Sequence, residues 1–522
     1  MNWPLLLNSL LVSGLTTMLA GALGFAVALA LASVASRWRR CLLLAAVIAL
    51  VLPPFLVTNC WLELLGNNGA WRGWLPLNIY SLGGTVWLLT LLTWPLTTLL
   101  VLGAWSRLEA PQLECDPMVR GWALIRGLLW PMARGAVGQA AVLTFVLALN
   151  NFAVPVILQV QVFPEELWLA FTTRLDEAGA WAASWPMIAA PALGLWLLRR
   201  TSVSWPNKEG AATGEIFRRQ LGRGWFVACA VVTALLLLLS VALPMQQLAA
   251  SSRTWSELPN LFRAAPDTIW NSFAFAAATA SLCVTISLAI GQWLEAVSLA
   301  PGFSRARLRD NDDSAASAAF DAETCKPLKR FAATRDRNTR LKPGANETRL
   351  NIAARLWCWG GLLLWLPFLI PGVLLGRSMI AAFNGTMIYG TAALVVLAFT
   401  LRYFALPWTA IAHARSAVDR DVIDAARVSG ASGWPLFRRI VWPQIAPQIA
   451  AAWYITYLLC LWDVETLVLI YPPGGETLAL RIFNLLHYGH NAQVNALCVT
   501  LLALAVAPLA VWGSWRWLMD GK

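Results

Sequence analysis

The sequence predicts an all-helical, polytopic membrane protein: two homologous bundles fused in one chain, with about 11 transmembrane helices, five in the first half and six in the second. Three observations carry this prediction. The composition is that of a lipid-embedded chain, the basic residues fall on one side of the alternating spans, and the sequence repeats itself internally.

Of 522 residues, 58% are hydrophobic, 13% are charged and 30 are Trp, and the mean hydropathy is +0.61. The apolar runs approach the roughly 20 residues that cross a bilayer as a helix. They are continuous rather than alternating, which excludes a membrane β-barrel. The first run has no basic residue before it and leads directly into further spans, so it does not read as a cleaved signal peptide.

Candidate spans lie near 8–35, 41–62, 81–105, 136–160, 182–198, 225–248, 269–299, 356–378, 387–410, 448–470 and 491–516. If the loop RWRR at 37–40 is cytoplasmic, so are 106–135, 199–224, 300–355, 411–447 and the C-terminus. Those segments hold 32 of the 39 Lys and Arg. Six more fall outside, and Arg402 lies within a span. This positive-inside asymmetry accounts for the net charge of +12 without nucleic acid as a partner.

The nine Cys are scattered singly, which argues against a disulfide framework or a zinc site. His487 and His490 form an HYGH pair with no nearby carboxylate or thiolate, too few ligands for a metal centre. Residues 300–355 are polar and mixed in charge, and read as a disordered cytoplasmic insertion.

Shifting the chain by 312 residues lays WALIRGLLWP (122–131) over WPLFRRIVWP (434–443) and LTFVLALNNFAVPVIL (143–158) over ITYLLCLWDVETLVLI (455–470). Asn8-Ser9 matches Asn271-Ser272 at a smaller offset, the difference being about the length of the polar insertion. The organisation expected is a first bundle at 1–200 that lacks the first helix of the repeat, a cytoplasmic linker at 201–224 and a second bundle at 225–522. Fused repeats of this kind place a pathway at the interface between the halves.

Between two apolar runs lies DAARVSGASGWPLFRRIVWP (424–443). Ala425 and Ala426 favour a helix that lets a partner approach closely, Gly430 suits the left-handed turn that ends it, and Pro435 suits the first turn of the next. The pattern reads as a helix–turn–helix at the membrane face with a basic second arm, a docking element rather than a span. It resembles the EAA loop of binding-protein-dependent ABC importer permeases: Asp424, Ala425, Ala426, Gly430, Ile440 and Pro443 fall at that spacing, with Asp in the Glu place, Trp442 in the Leu place and Arg438 between.

That resemblance implies the MetI-like permease fold and a cytoplasmic ABC ATPase dimer docking at Asp424 to Gly430. It also implies an extracytoplasmic substrate-binding protein and a place in the bacterial inner membrane, with the C-terminus cytoplasmic. In the first copy Gln112, Leu113 and Glu114 occupy the EAA positions and Met118 the glycine position, so this loop is degenerate, although Trp122, Arg126 and Pro131 remain. The fused layout and YPPGGETLALRIFNL (471–485) look most like ferric-iron-type permeases, with thiamine-type next. No GxxxxGK[ST] motif occurs, so no cofactor is expected on this chain; ATP and Mg belong to the partner ATPase.

Polar groups inside a span are expensive, so Asn150, Asn151, Asp463 and Glu465 are candidates for lining the path. Capping helices or hydrogen-bonding across the bundle interface is the other reading of the same four. Pro53-Pro54, Pro155, Pro367 and Pro371 supply kinks for gating or static bends. Two other functional classes would make different demands on the sequence. An ion-coupled carrier would use Asp463 and Glu465 as its ion site, and a membrane-embedded enzyme would need an HExxH or GxSxG motif that the sequence lacks.

Overall fold

The computed structural model describes residues 2–67, 69–73, 75, 77–106, 108–114, 120–174, 177–198, 214–298, 363–416, 418–487 and 491–520. The described residues are helical, and the chain is a multi-pass membrane protein. Seven helices are long and apolar enough to cross a membrane, nine if each of two bent pairs counts as one span.

The first half contains α1 (Trp3–Ala32), α2 (Ser36–Val51), α3 (Pro54–Leu65), α4 (Leu82–Trp105) and the short α5 (Ala110–Glu114). The span α6 (Trp122–Asn150) follows, then α7 (Ala153–Ile157), α8 (Phe163–Thr172), α9 (Glu177–Ala183) and α10 (Trp185–Leu198). A linker helix α11 (Gly214–Leu221) leads into α12 (Arg223–Ala250). The second half continues with α13 (Ser252–Ala264), α14 (Pro266–Ser298), α15 (Leu366–Leu369), α16 (Gly372–Phe383), α17 (Ala392–Tyr403) and α18 (Ala405–Ser416). It ends with α19 (Arg420–Val428), α20 (Gly433–Trp462), α21 (Leu467–Ile470), α22 (Leu478–His487) and α23 (Asn491–Asp520).

Two of the expected spans differ. The segment 182–198 becomes α10, only 14 residues long and interrupted by Pro191. Residues 356–362 lie outside the described residues, and the rest of that span is split into α15 and α16 at Pro371, whose fixed φ and missing N–H prevent one continuous ladder. Pro53 and Pro54 do the same between α2 and α3, which meet at 87°. The insertion at 300–355 and His490 also lie outside the described residues. Of the described cysteines, five are buried, Cys41 is exposed, and all are free.

Small residues let the innermost helices approach. On α1 a buried stripe runs Ser9, Ser13, Thr16, Ala20, Gly24, and on α14 the stripe Ser272, Ala276, Thr279, Cys283, Ser287 recurs at the same spacing. α1 packs along α4 and α6, and α14 along α17 and α20. The Thr98 hydroxyl donates to the Gly24 carbonyl at 3.0 Å, a contact available because Gly24 has no side chain. One apolar core runs through both halves, with Trp94, Phe152, Phe399 and Tyr457 among its buried aromatics.

The packing of α12 could not be read from the repeat. By sequence this helix opens the second copy, yet apart from its chain neighbours α11 and α13 it packs on α1, α2, α3 and α4 of the first. Much of its surface stays exposed, as expected of a helix on the lipid-facing rim.

Candidate functional site

The segment 424–443 begins within α19, whose C-terminus closes in the way its sequence requires. Gly430 has φ +85°, its N–H donates to the Arg427 carbonyl at 2.9 Å, and the Ala431 N–H reaches the Ala426 carbonyl at 2.9 Å. Those two bonds form a Schellman motif, which satisfies carbonyls the helix end would otherwise leave open. Asp424, Ala425 and Arg438 are exposed, while Ala426 and Ile440 are half-buried. Val428 is 90% and Trp434 66% exposed, a high exposure for apolar groups beside so many charges.

The second arm is not a separate helix. From Gly433 the chain runs through Arg438, Ile440 and Pro443 to Trp462 as one helix, so the basic arm is the first part of a span, a correction to the helix–turn–helix expected. A π-helical turn at Phe437–Val441 absorbs one extra residue there. Another π turn at Ile125–Leu129 occupies the equivalent place in the first half. Gly121 and Gly433, also equivalent, both have positive φ, +57° and +59°. Met118 lies outside the described residues, and Gly121 is the turn glycine that the first copy retains.

Outside that shared geometry the two segments differ. In the first half, α11 lies against α5, with Leu113, Phe217 and Leu221 buried. The Gly121 N–H donates to the Gln220 carbonyl at 2.9 Å, and Trp122 stacks on Trp225 with ring centroids 5.8 Å apart. Glu114 remains exposed, whereas Arg126 and Pro131 sit on the exposed side of α6. The first segment therefore carries part of the linker on its surface, and the second carries no such helix among the described residues.

Both long helices break at the same point. Asn150 ends α6 and is buried; Asn151 follows, and its Oδ1 accepts the Val154 N–H at 3.0 Å. At the equivalent position Asp463 Oδ1 accepts the Thr466 N–H at 2.9 Å. These side chains supply the acceptor that starts the next short helix, α7 or α21, and so fix where the long helix stops, short of the ends expected at 160 and 470.

The second break carries charge. Arg402, buried on α17, pairs with Asp463 at 3.3 Å and with Glu465 at 2.8 Å. Its guanidinium also donates to the Thr466 hydroxyl. Tyr403 donates to Asp463 at 2.8 Å, and Thr466 Oγ1 donates to the same carboxylate at 2.9 Å. Gly372 makes room for this cluster: a Cβ there would collide with the guanidinium and lie 2.7 Å from Glu465 Cβ. Tyr403, Thr466 and Gly372 were not singled out from sequence; Arg402 was placed within a span but given no partner, although an arginine within an apolar run requires a carboxylate partner. Glu465 Oε1 also accepts the Phe152 N–H at 3.3 Å, joining the break of one half to that of the other.

The matched Asn–Ser pairs act alike. Asn8 donates to the Gln161 carbonyl at 3.3 Å and Ser9 Oγ accepts the Phe163 N–H at 2.8 Å. Asn271 donates to the Gly474 carbonyl at 2.8 Å and Ser272 Oγ accepts the Leu478 N–H at 2.7 Å. In each half the pair ties the first helix of the repeated core to the chain that follows the break.

A second polar cluster, not anticipated, lies where α3, α12 and α23 meet. Asn59 Nδ2 donates to Glu63 Oε1 at 3.1 Å and to Asn495 Oδ1 at 2.8 Å. Asn495 Nδ2 donates to Glu63 Oε1 at 3.3 Å, and Gln247 Nε2 donates to Glu63 Oε2. A lone carboxylate near a span end reads in sequence as an interfacial residue, and of its three amide partners only Asn59, one helical turn away, is local, whereas Gln247 and Asn495 come from distant positions.

No family model matches this chain. Over 150 residues it is 28% identical to a protein of Salmonella paratyphi A named as a 2-aminoethylphosphonate transport system permease, PhnV; the match covers 28% of this chain and 57% of that protein. The protein of the same name from Salmonella typhimurium is 27% identical over 150 residues, with the same shares covered. Over 112 residues the chain is 31% identical to the spermidine/putrescine transport system permease protein PotC of Escherichia coli K12, covering 21% of this chain and 42% of that one. The chain thus spans about half the length of the curated relatives it matches, and over those stretches it is similar to transport-system permeases.

Proposed function

We propose that this chain is the membrane-spanning permease subunit of a binding-protein-dependent ABC importer in a bacterial inner membrane. ATP is hydrolysed by a separate cytoplasmic ATPase dimer, and an extracytoplasmic binding protein delivers the solute. The observation that carries this reading is the exposed helix α19, closed at Gly430 and continuous through the π turn with the span α20. Similarity to permeases of two transport systems supports it independently.

The geometry suggests how force would travel. An ATPase gripping Asp424, Ala425 and Ala426 would move α19, and the Schellman turn would pass that motion to α20 as a near-rigid lever. Capping the far end of α20 is Asp463, held by Arg402, and Glu465 reaches Phe152 across the halves. Domain motion delivered to this joint would shift one break against the other, where Asn150 and Asn151 sit. These four polar residues would then act at the gate as anchors of the moving helices. An ion-coupled carrier is disfavoured because Asp463 and Glu465 are already committed to Arg402.

The solute we infer is a small amine. The similar proteins are named for 2-aminoethylphosphonate and for spermidine and putrescine, which share a primary amino group. The fused layout that suggested ferric iron or thiamine describes how the two bundles are joined and carries no information about the solute. Gentle solubilisation, capture of the tagged chain and mass spectrometry of its partners test the class: an ABC ATPase at two copies per chain is expected, and its absence with the bundle folded would overturn the reading.

A further inference from the structure

We infer that Glu63, with Asn59, Gln247 and Asn495, forms a binding site for a primary ammonium group. This rests on the proposed reading of the chain as a permease for an amine-bearing solute, and it assigns that solute's ammonium group a place.

The cluster joins the halves. Glu63 and Asn59 come from α3 of the first half, Asn495 from the start of α23, and Gln247 from the end of α12. With spans alternating in direction, the end of α3, the end of α12 and the start of α23 all reach the membrane face opposite the basic loops. On the topology expected from those loops this is the extracytoplasmic face, where a binding protein would release its cargo.

The hydrogen-bond inventory is unbalanced in a particular direction. Among the described residues Glu63 has no cationic partner, and its carboxylate receives only neutral amide donors. Asn59 is fully buried, yet its Oδ1 has no donor, and Gln247 Oε1 is likewise buried without one. Unpaired buried acceptors are costly and call for an explanation. The cluster gives Glu63 one amide donor each from Asn59, Asn495 and Gln247, and a further one from Asn59 to Asn495 Oδ1, and it leaves two buried amide oxygens unpaired beside a carboxylate with no counter-cation.

An ammonium group supplies what is missing: one positive charge and three N–H donors. A carboxylate with two amide oxygens offers three acceptors, and charge-assisted bonds of this type are the strong ones. A phosphonate would meet the like charge of Glu63 here, so a zwitterionic aminophosphonate would enter amine first. The Arg402 cluster offers no alternative, since its guanidinium already opposes two carboxylates.

The test is calorimetric binding of putrescine to the full chain in lipid nanodiscs, with 1,4-butanediol as the uncharged control and 2-aminoethylphosphonate as competitor. Saturable binding of putrescine and none of the diol is expected. Competition by the aminophosphonate is expected, since it carries the same primary ammonium group, and its failure to compete would overturn the assignment of the site to that group. Glu63→Gln should weaken putrescine binding at least tenfold. Asn495→Asp, which adds a second carboxylate, should tighten it at least threefold, and decides the matter if Glu63→Gln does not fold. Binding unaffected by Glu63→Gln, or unchanged or weakened by Asn495→Asp in folded protein, would overturn the inference. Capture of an ABC ATPase by a wild-type chain that binds no putrescine would overturn this site and leave the permease reading standing.

Discussion

Glu465 and Phe152 are joined across the two halves: one oxygen of the carboxylate accepts the Phe152 N–H at 3.3 Å while the other pairs with Arg402 at 2.8 Å. The first half contributes backbone and the second a charged side chain, so equivalent breaks in two homologous bundles meet through chemistry that only one of them has. The position equivalent to Glu465 in the first half is Ala153. The joint is therefore asymmetric although the scaffold around it repeats.

Removing the cation from that joint should be costly. Arg402→Met leaves Asp463 and Glu465 as two buried carboxylates without their counter-charge, a change expected to destabilise by about 3–5 kcal/mol. Thermal unfolding of the solubilised chain should show a marked fall in midpoint. The triple change Arg402→Met, Asp463→Asn and Glu465→Gln should recover much of it. If the single and triple variants unfold alike, the charges at the joint are not coupled.

Ser9 and Ser272 should prove interchangeable in cost. Each hydroxyl accepts one buried backbone N–H, from Phe163 or from Leu478. Replacing either by Ala leaves that N–H unsatisfied, with an expected loss of about 1–3 kcal/mol. Unfolding of Ser9→Ala and Ser272→Ala, measured side by side, should give similar losses, and the double variant their sum within about 0.5 kcal/mol, as for distant independent sites. A large effect in only one half would separate the two struts.

These struts also show what the sequence disclosed. A polar pair in an apolar run stands out, so Asn8-Ser9 and Asn271-Ser272 could be matched before any contact was known. The glycine at 430 was legible for a similar reason, because its place after a short alanine-bearing helix leaves few conformations open. Partner choice was not legible. Nothing in Arg223–Ala250 says which bundle it will lie on, and nothing near Glu63 announces Asn495, which is 432 residues away. The ends of α6 and α20 were missed because apolar residues continue past Asn151 and Asp463, and hydropathy cannot register a side-chain cap that stops the helix.

Gly430→Val tests the turn. At φ +85° a β-branched residue is strongly disfavoured, and the left-handed region costs an ordinary residue about 1–2 kcal/mol. No neighbouring atom lies within 4 Å of a Cβ built there, so the cost is conformational rather than steric crowding. The chain should fold, with a loss of stability no larger than that cost, while solute-stimulated ATP hydrolysis by the assembled complex falls. Gly430→Asn, which tolerates positive φ, should retain most of it. Equal activity of the Val and Asn variants would show that the turn does not transmit the motion.

The two docking segments should respond unequally to the same insult. In the second half Ala425 is exposed, with no linker helix over it among the described residues; in the first, α11 covers part of the surface and Trp122 is stacked on Trp225. A bulky cation at Ala425→Arg would meet a docked ATPase directly, and should reduce its capture at least tenfold. Gln112→Arg, at the first of the EAA positions in the other half, should reduce it by no more than about threefold, the effect of one exposed charge on a polar rim. Trp225→Ala should then narrow the gap, because removing the stacked ring, a contact of about 0.5–1.5 kcal/mol, frees Trp122 and loosens the linker over the first segment. Equal losses for Ala425→Arg and Gln112→Arg in the otherwise unaltered chain would mean that the ATPase grips both halves alike and that α11 does not stand in its way.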